Sequence, residues 1–252
     1  MPRFAANLTF LFKELPFLDR FQAAAEAGFE AVEVLFPYDD AASEITRRLT
    51  QNGLHMALIN TPPPNWAGGE RGFAALPGGE TRFRHDFKRA LRFAQAFRST
   101  HLHIMAGKAQ GKIAHRTYVE NLKWAAAQAP KQSLTIEPIN PVDMPGYFLN
   151  SFDLAAEVIA EVGARNLSLQ FDAYHAEKIT GDLFGTWDKF KRITRHIQVG
   201  GIPDRNEPLR GDVNFPAWFR QLDREGYKGW VSGEYNPTAQ TEAGLIWMRG
   251  YD

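Results

Sequence analysis

The chain alternates between two patterns. Short apolar or β-branched runs at residues 4–8, 31–35, 54–59, 102–105, 133–137, 167–172, 195–199 and 229–234 are each followed by a stretch of helical periodicity. Strict alternation implies parallel pairing, because a parallel strand can only be reached through a crossover, usually a helix. Eight such units in 252 residues, with no shift in composition that would mark a linker, match the usual size of a closed barrel. The expectation is therefore α/β: a single (β/α)8 barrel domain over residues 1–252. An open doubly wound sheet is the runner-up, and the absence of Gly-x-Gly-x-x-Gly after the first strand weighs against it.

Helices are expected at 17–27, 42–51, 80–97, 117–129, 183–193, 215–225 and 238–248, with another opening at Ser151 and ending before Gly163. In the third of these, Phe83, Phe87, Ala90, Leu91 and Ala94 form one apolar stripe. The Pro- and Gly-rich stretch 61–79 is too long for a mere connector, and its segment 68–72 reads as a lid over a site.

Composition removes several classes of function. The 29 basic and 29 acidic residues cancel, so nothing points to nucleic acid or an anionic membrane as a partner. No apolar run is long enough to span a bilayer, and the start of the sequence lacks the layout of a signal peptide. Without cysteine there are no disulfides and no thiolate metal sites. A cytoplasmic location is the default expectation. Apolar residues on the outer helices leave a dimer or tetramer open.

Chemistry concentrates where strands end. Leu134-Thr135-Ile136 runs into Glu137, and Pro138 then stops both ladder pairing and helix formation. Three later strands end similarly, at Asp172, Gln198 and Glu234. In a barrel of this kind the active site lies at the C-terminal ends of the strands, so these four would share one rim with Asn7, Glu33, Asn60 and His103. Three carboxylates held together need a compensating positive charge. An all-oxygen cage of Glu137, Asp172, Gln198 and Glu234 favours one hard divalent cation, Mg²⁺ or Mn²⁺, over Zn²⁺. Of the strand histidines, only His103 is near enough a C-terminal end to reach the site; His55, His101 and His196 are expected to be packed in the core, and His85 and His115 to lie on helix surfaces.

These residues resemble the hydroxypyruvate isomerase family. The likeness rests on Ile136-Glu137-Pro138-Ile139-Asn140 with Met144-Pro145-Gly146-Tyr147, on Gln170-Phe171-Asp172-Ala173-Tyr174-His175, on His196-Ile197-Gln198 with Pro203-Asp204-Arg205, and on Gly233-Glu234-Tyr235. Asn7, Phe36-Pro37-Tyr38 and Gly69-Glu70-Arg71-Gly72 extend it along the chain. The family groups with xylose-isomerase-like barrels, ketose 3-epimerases and 2-oxo-tetronate isomerases. The resemblance implies a metal on Glu137, Asp172, Gln198 and Glu234, and conversion of hydroxypyruvate to tartronate semialdehyde through an enediolate. It implies proton transfer by Glu137 and Glu234, with no redox cofactor. Arg71 and Arg205 are the candidates for the carboxylate of a small hydroxy-oxo acid, since a guanidinium fork matches it. His175 resembles a histidine that binds a substrate oxygen, and Asn7 and His103 complete the expected substrate contacts.

The third loop departs from the family pattern, reading Pro62-Pro63-Pro64-Asn65-Trp66 where relatives carry Gly-Asp before the tryptophan. That leaves a four-carbon 2-oxo-tetronate or a ketose open as substrate. Two other classes compete. A DNA-repair nuclease resembling endonuclease IV would need three zinc ions, many histidines and a basic groove, whereas this chain has seven histidines and no net charge. A non-catalytic sugar-acid binding protein would have no need of two metal-bound glutamates.

Overall fold

The computed structural model describes residues 2–62, 71–209 and 211–248. Eight parallel strands close into a barrel in the order of the sequence: β1 (Arg3–Asn7), β2 (Ala31–Val34), β3 (His55–Asn60), β4 (His101–His103), β5 (Ser133–Ile136), β6 (Leu167–Asp172), β7 (Thr194–Val199) and β8 (Trp230–Gly233). The helices are α1 (Arg20–Glu26), α2 (Ala42–Gln51), α3 (Glu80–Phe97), α4 (Gly111–Gln128), α5 (Phe152–Val162), α6 (Ala173–Thr180), α7 (Leu183–Phe190) and α8 (Phe215–Arg224), with 3₁₀ turns at Phe17–Asp19 and Thr241–Met248. Among them, no helix is long and apolar enough to cross a membrane.

The barrel follows the expected alternation, and the departures have local causes. Helix α4 starts at Gly111 rather than 117, because the Gln110-Gly111-Lys112 segment reads as a loop until its apolar stripe begins. Helix α6 was not expected. Its eight residues carry no strong periodicity, and it stands on its caps: Asp172 Oδ1 accepts from the Tyr174 N–H at 2.8 Å, and Gly181 ends it at φ 69°. The stretch 238–248 holds only the 3₁₀ turn, α7 stops at Phe190, and the helix expected over 17–27 opens with a 3₁₀ turn. Strand β4 is confined to His101–His103, since Ile104 and Met105 have already turned into the following loop.

Outside the barrel, strands and helices enclose one large apolar core. Helix α8 shows why: Phe215, Trp218, Phe219 and Leu222 recur on one face, and Asn214 caps the start by accepting from the Ala217 N–H at 3.2 Å. Ser151 does the same for α5, accepting from the Leu154 N–H at 3.2 Å. Ser151→Ala is expected to cost about 1 kcal/mol in a urea unfolding titration while leaving the barrel interior unchanged.

The interior of the barrel is different. Such interiors are ordinarily filled by Val, Ile and Leu. Here Ala5, Ala31, Ala57 and Trp230 form a small separate cluster toward the N-terminal end of the strands, and buried Glu33, His103, Thr135, Gln170, His196 and Gln198 lie beyond it. Strands β2 and β7 are not neighbours in the sheet, yet His196 Nε2 lies 2.7 Å from Glu33 Oε2, so this contact passes through the barrel. Buried polar groups are costly unless bonded. They gather in the C-terminal half of the barrel interior.

Candidate active site

Register sets the height of the site. Asn7 is level with Glu33, Asn60 with His103, and Asp172 with Gln198, so the polar strand ends meet at one rim. Along that rim and just beneath it runs a connected set of hydrogen bonds. Gln170 Nε2 donates to Glu137 Oε2 at 3.0 Å and to Gln198 Oε1 at 2.7 Å, and Thr135 Oγ1 donates to Gln170 Oε1 at 3.0 Å. Gln198 Nε2 donates to Glu33 Oε1 at 2.7 Å and also to Glu234 Oε2. Asn7 Nδ2 donates to the same two acceptors, at 2.7 and 2.8 Å.

Above it is a cavity of about 240 Å³, whose wall includes Arg71, His103, Glu137, His175, Arg205 and Glu234. A broader groove of about 760 Å³ opens at the other end of the barrel, around Thr100, Trp187 and Tyr227. Its one carboxylate, Glu225, is already held by Lys191 at 2.9 Å and by the Trp187 N–H at 2.8 Å.

Arg205 serves the crowded acids. Arg205 Nη2 donates to Asp172 Oδ2 at 2.8 Å and to Glu234 Oε1 at 2.6 Å, and its face lies against Tyr174 and Phe10. Its backbone sits at φ 56°, a region that costs a non-glycine residue about 1–2 kcal/mol. Burial opposes its charge, but Glu234, Asp172 and Glu137 outweigh that and hold its pKa above the ordinary arginine range.

Among the described residues Glu137 has no lysine or arginine bonded to it, and Arg205 acts on it only from a distance. Its polar neighbours are the Gln170 amide and the imidazoles of His103 and His175, each with Nε2 3.8 Å from a Glu137 oxygen. Burial drives its pKa well up, and Asp172 and Glu234 add repulsion. Glu234 is pushed up to about 8, by burial first, with Arg205 pulling the other way. The donor set thus has room for one more positive charge. Glu137, Asp172 and His175 each offer a ligand atom within 4.8 Å of the others.

The tautomer of His175 narrows its role. Asn140 Oδ1 accepts from the backbone N–H groups of Val142 and Asp143 at 3.1 and 2.9 Å, which fixes the amide so that Nδ2 faces the imidazole. That Nδ2 donates to His175 Nδ1 at 2.8 Å, so the proton of the neutral ring lies on Nε2. Nε2 points at Asp172 and Glu137, 3.6 and 3.8 Å away. Burial lowers the His175 pKa to about 4, leaving the ring neutral near pH 7. An N–H in that place is a donor to an oxygen.

Of the residues singled out in the sequence, Arg71, His103, Glu137, His175, Arg205 and Glu234 line the cavity, while Asp172 meets it through Arg205 and His175. Gln198 and Asn7 stand at the rim but off the cavity wall, their amide hydrogens turned to Glu33 and Glu234. Asn7 is thus placed to hold Glu234 rather than to face a substrate. Both nitrogens of His103 are buried without a bonded partner, an open demand for a ligand in the cavity. Tyr235 is core, its hydroxyl accepting from the Trp247 N–H at 3.0 Å. Trp66 and residues 68–70 of the lid-like segment lie outside the described residues.

Sequence reasoning assigned no role to Asn140, Asp143 or Gln170. The signal for Gln170 was its spacing, two residues before Asp172 and hence on the same face of β6. Arg71 owes its place to two glycines. A Cβ on Gly107, at φ 90°, would lie 2.2 Å from the Gly72 carbonyl oxygen, and one on Gly72 would lie 2.3 Å from that of Met105. Gly107→Ala is expected to cost about 1–3 kcal/mol and to raise KM by moving Arg71, as read by thermal unfolding and initial rates.

Comparison with known proteins agrees with this fold. Residues 21–251 match a family described as a xylose isomerase-like TIM barrel. The chain is 49% identical to a 2-oxo-tetronate isomerase of Cupriavidus necator, over all of this chain and 99% of the relative. It is 40% identical to a hydroxypyruvate isomerase of Escherichia coli, with both chains covered in full. A crystal structure described as AP endonuclease, family 2, from Brucella melitensis superposes with a TM-score of 0.95 at 45% identity, covering 98% of each chain.

Proposed function

The chain belongs to the xylose isomerase-like TIM barrel family, and from that membership and the rim we propose that it isomerises a small hydroxy-oxo acid by moving a proton between adjacent carbons. The observation that carries the reading is the pair Glu137 and Glu234, presented by β5 and β8 to one cavity that also holds Arg205, Arg71 and an N–H of His175. The volume of about 240 Å³ falls below the roughly 300–1,000 Å³ of drug-sized ligand pockets, which suits a short acid.

Glu137, Asp172 and Glu234 with the Gln198 carbonyl would hold Mg²⁺ or Mn²⁺, and the crowding of buried acids at Glu137 and Asp172 fits such an ion. When bound, a divalent ion supplies polarisation of the substrate carbonyl, which acidifies the adjacent C–H. The chain does the rest. The two glutamates exchange the proton with the two carbons. His175 Nε2 and His103 face a substrate oxygen. Arg205 spends Nη2 on Asp172 and Glu234, and Nη1 remains for the substrate carboxylate together with Arg71.

Hydroxypyruvate, giving tartronate semialdehyde, is the first substrate we propose. The higher identity to a 2-oxo-tetronate isomerase favours a four-carbon acid as the second reading. Nucleic acid is a poor fit to a balanced charge of 29 basic and 29 acidic residues. The test is kcat/KM for hydroxypyruvate and for 2-oxo-tetronate, on chelator-treated protein and again after addition of Mn²⁺. Turnover of either acid that returns with the ion supports the reading, and the larger kcat/KM names the substrate. Absence of turnover on both, with the ion present, overturns it.

A further inference from the structure

We infer that Glu33 is a positioning residue that orients Glu234 and Gln198 through their shared amide contacts. The inference rests on the proposed function above and names a group which that mechanism does not use. Glu33 is wholly buried on β2 and does not line the cavity, and it lies against Glu234 from behind.

Its contacts show what it does. Oε1 accepts from Asn7 Nδ2 and from Gln198 Nε2, each at 2.7 Å, while Oε2 receives His196 Nε2 at 2.7 Å. Each of the two amides has two N–H groups. In both cases one goes to Glu33 Oε1 and the other to Glu234 Oε2. The oxygens of these amides are held elsewhere, Asn7 Oδ1 by the Thr9 N–H at 3.0 Å and Gln198 Oε1 by Gln170 Nε2 at 2.7 Å, and Glu33 anchors their nitrogens. Without an acceptor at that point each nitrogen keeps an unpaired buried N–H and is no longer held in place against Glu234 Oε2. With it, Glu234 Oε2 is held by two donors, Oε1 is left to Arg205 and the cavity, and Gln198 keeps its carbonyl away from Glu234, on the side of Gln170 and Glu137.

Stability offers no competing reason for the acid. Among the described residues it meets no lysine or arginine: its neighbours are two amides, the His196 imidazole and the side chain of Glu234. A carboxyl group placed there in a sealed interior is expensive, and a well-packed apolar set often does as well or better. The neighbouring acids in the cavity have solvent or a substrate to meet. Glu33 has only the groups it orients.

The experiment measures Mn²⁺ affinity by the free-ion EPR signal, with kcat and KM alongside, in wild type, Glu33→Met, Glu33→Asp and Glu33→Gln. Near-UV circular dichroism reports folding. Methionine removes the acceptor, and aspartate withdraws it by one methylene while keeping the charge. Both should weaken Mn²⁺ binding about 10–100-fold, the usual loss when an orienting group behind a ligand is removed. kcat should fall, with KM changed little. Glutamine keeps an acceptor oxygen for the two amides, and His196 has a free Nδ1 to which its proton can move, so Glu33→Gln should recover most of the affinity. If Glu33→Met does not fold, Glu33→Asp carries the comparison. Wild-type Mn²⁺ affinity and kcat in Glu33→Asp overturn the inference, as does a Glu33→Gln protein that binds as weakly as Glu33→Asp. The proposed function fails on a different observation, a wild type that turns over neither acid. The Mn²⁺ comparison among the variants still reads the role of Glu33 in that case.

Discussion

Glu234→Gln is expected to lower kcat by about 10²- to 10⁴-fold, the range in which a positioned acid or base contributes. Glutamine has nearly the same shape and can still accept at one oxygen from Asn7 and Gln198, so the network beneath the cavity persists. Arg205 keeps Asp172 as a partner at 2.8 Å, and one member of a crowded set of acids is gone. The melting temperature should therefore hold or rise while turnover collapses. Glu137→Gln should do the same, because burial and the neighbouring acids raise its pKa as well. Comparable losses in both variants fit two proton carriers. A Glu234→Gln protein with wild-type kcat, in a fold shown intact by circular dichroism, would remove Glu234 from the chemistry.

Arg205→Leu is the second large effect. It strips the one guanidinium that bridges Asp172 and Glu234, leaving both carboxylates buried and close with no positive partner. Truncating one side of such a pair costs about 2–5 kcal/mol, or roughly 30- to 4,000-fold in kcat/KM. The loss should be largest for substrates bearing a carboxylate and smaller for a neutral hydroxyketone, because Nη1 is assigned to that group. Arg205→Lys should fall between, since a point charge cannot reach both acids in the plane of a fork. Equal losses on charged and neutral substrates would show that Arg205 serves the acids alone. The left-handed backbone at φ 56° adds a control: Arg205→Gly relieves that conformation yet should be as inactive as leucine.

The barrel and the rim were legible because strands advertise their ends. Glu137, Asp172 and Glu234 each terminate an apolar run, and a carboxylate there has nowhere to go but the rim. The layer beneath was harder to read. Gln170 and His196 stand inside strands buried on both faces, where a single polar residue looks like an isolated core position, and Glu33, read as a rim residue, carried no sign of what it meets. Only closure of the barrel shows that β2 and β7 meet across the interior. The role of His175 turns on Asn140, 35 residues away, whose amide orientation is set by two backbone donors. No local pattern encodes that. Helix α6 escaped for the opposite reason, since the residue that caps it, Asp172, was already accounted for as a strand-end acid.

The most direct test of proton transfer is turnover of the accepted substrate in D₂O, with the product read by NMR. Two separate glutamates, each exchanging with water between turnovers, must place solvent deuterium on the receiving carbon. The account predicts that label in the wild-type product and its loss, with turnover, in Glu137→Gln and Glu234→Gln. A product formed at full rate with no deuterium would mean that the hydrogen never leaves the substrate, and would contradict the account.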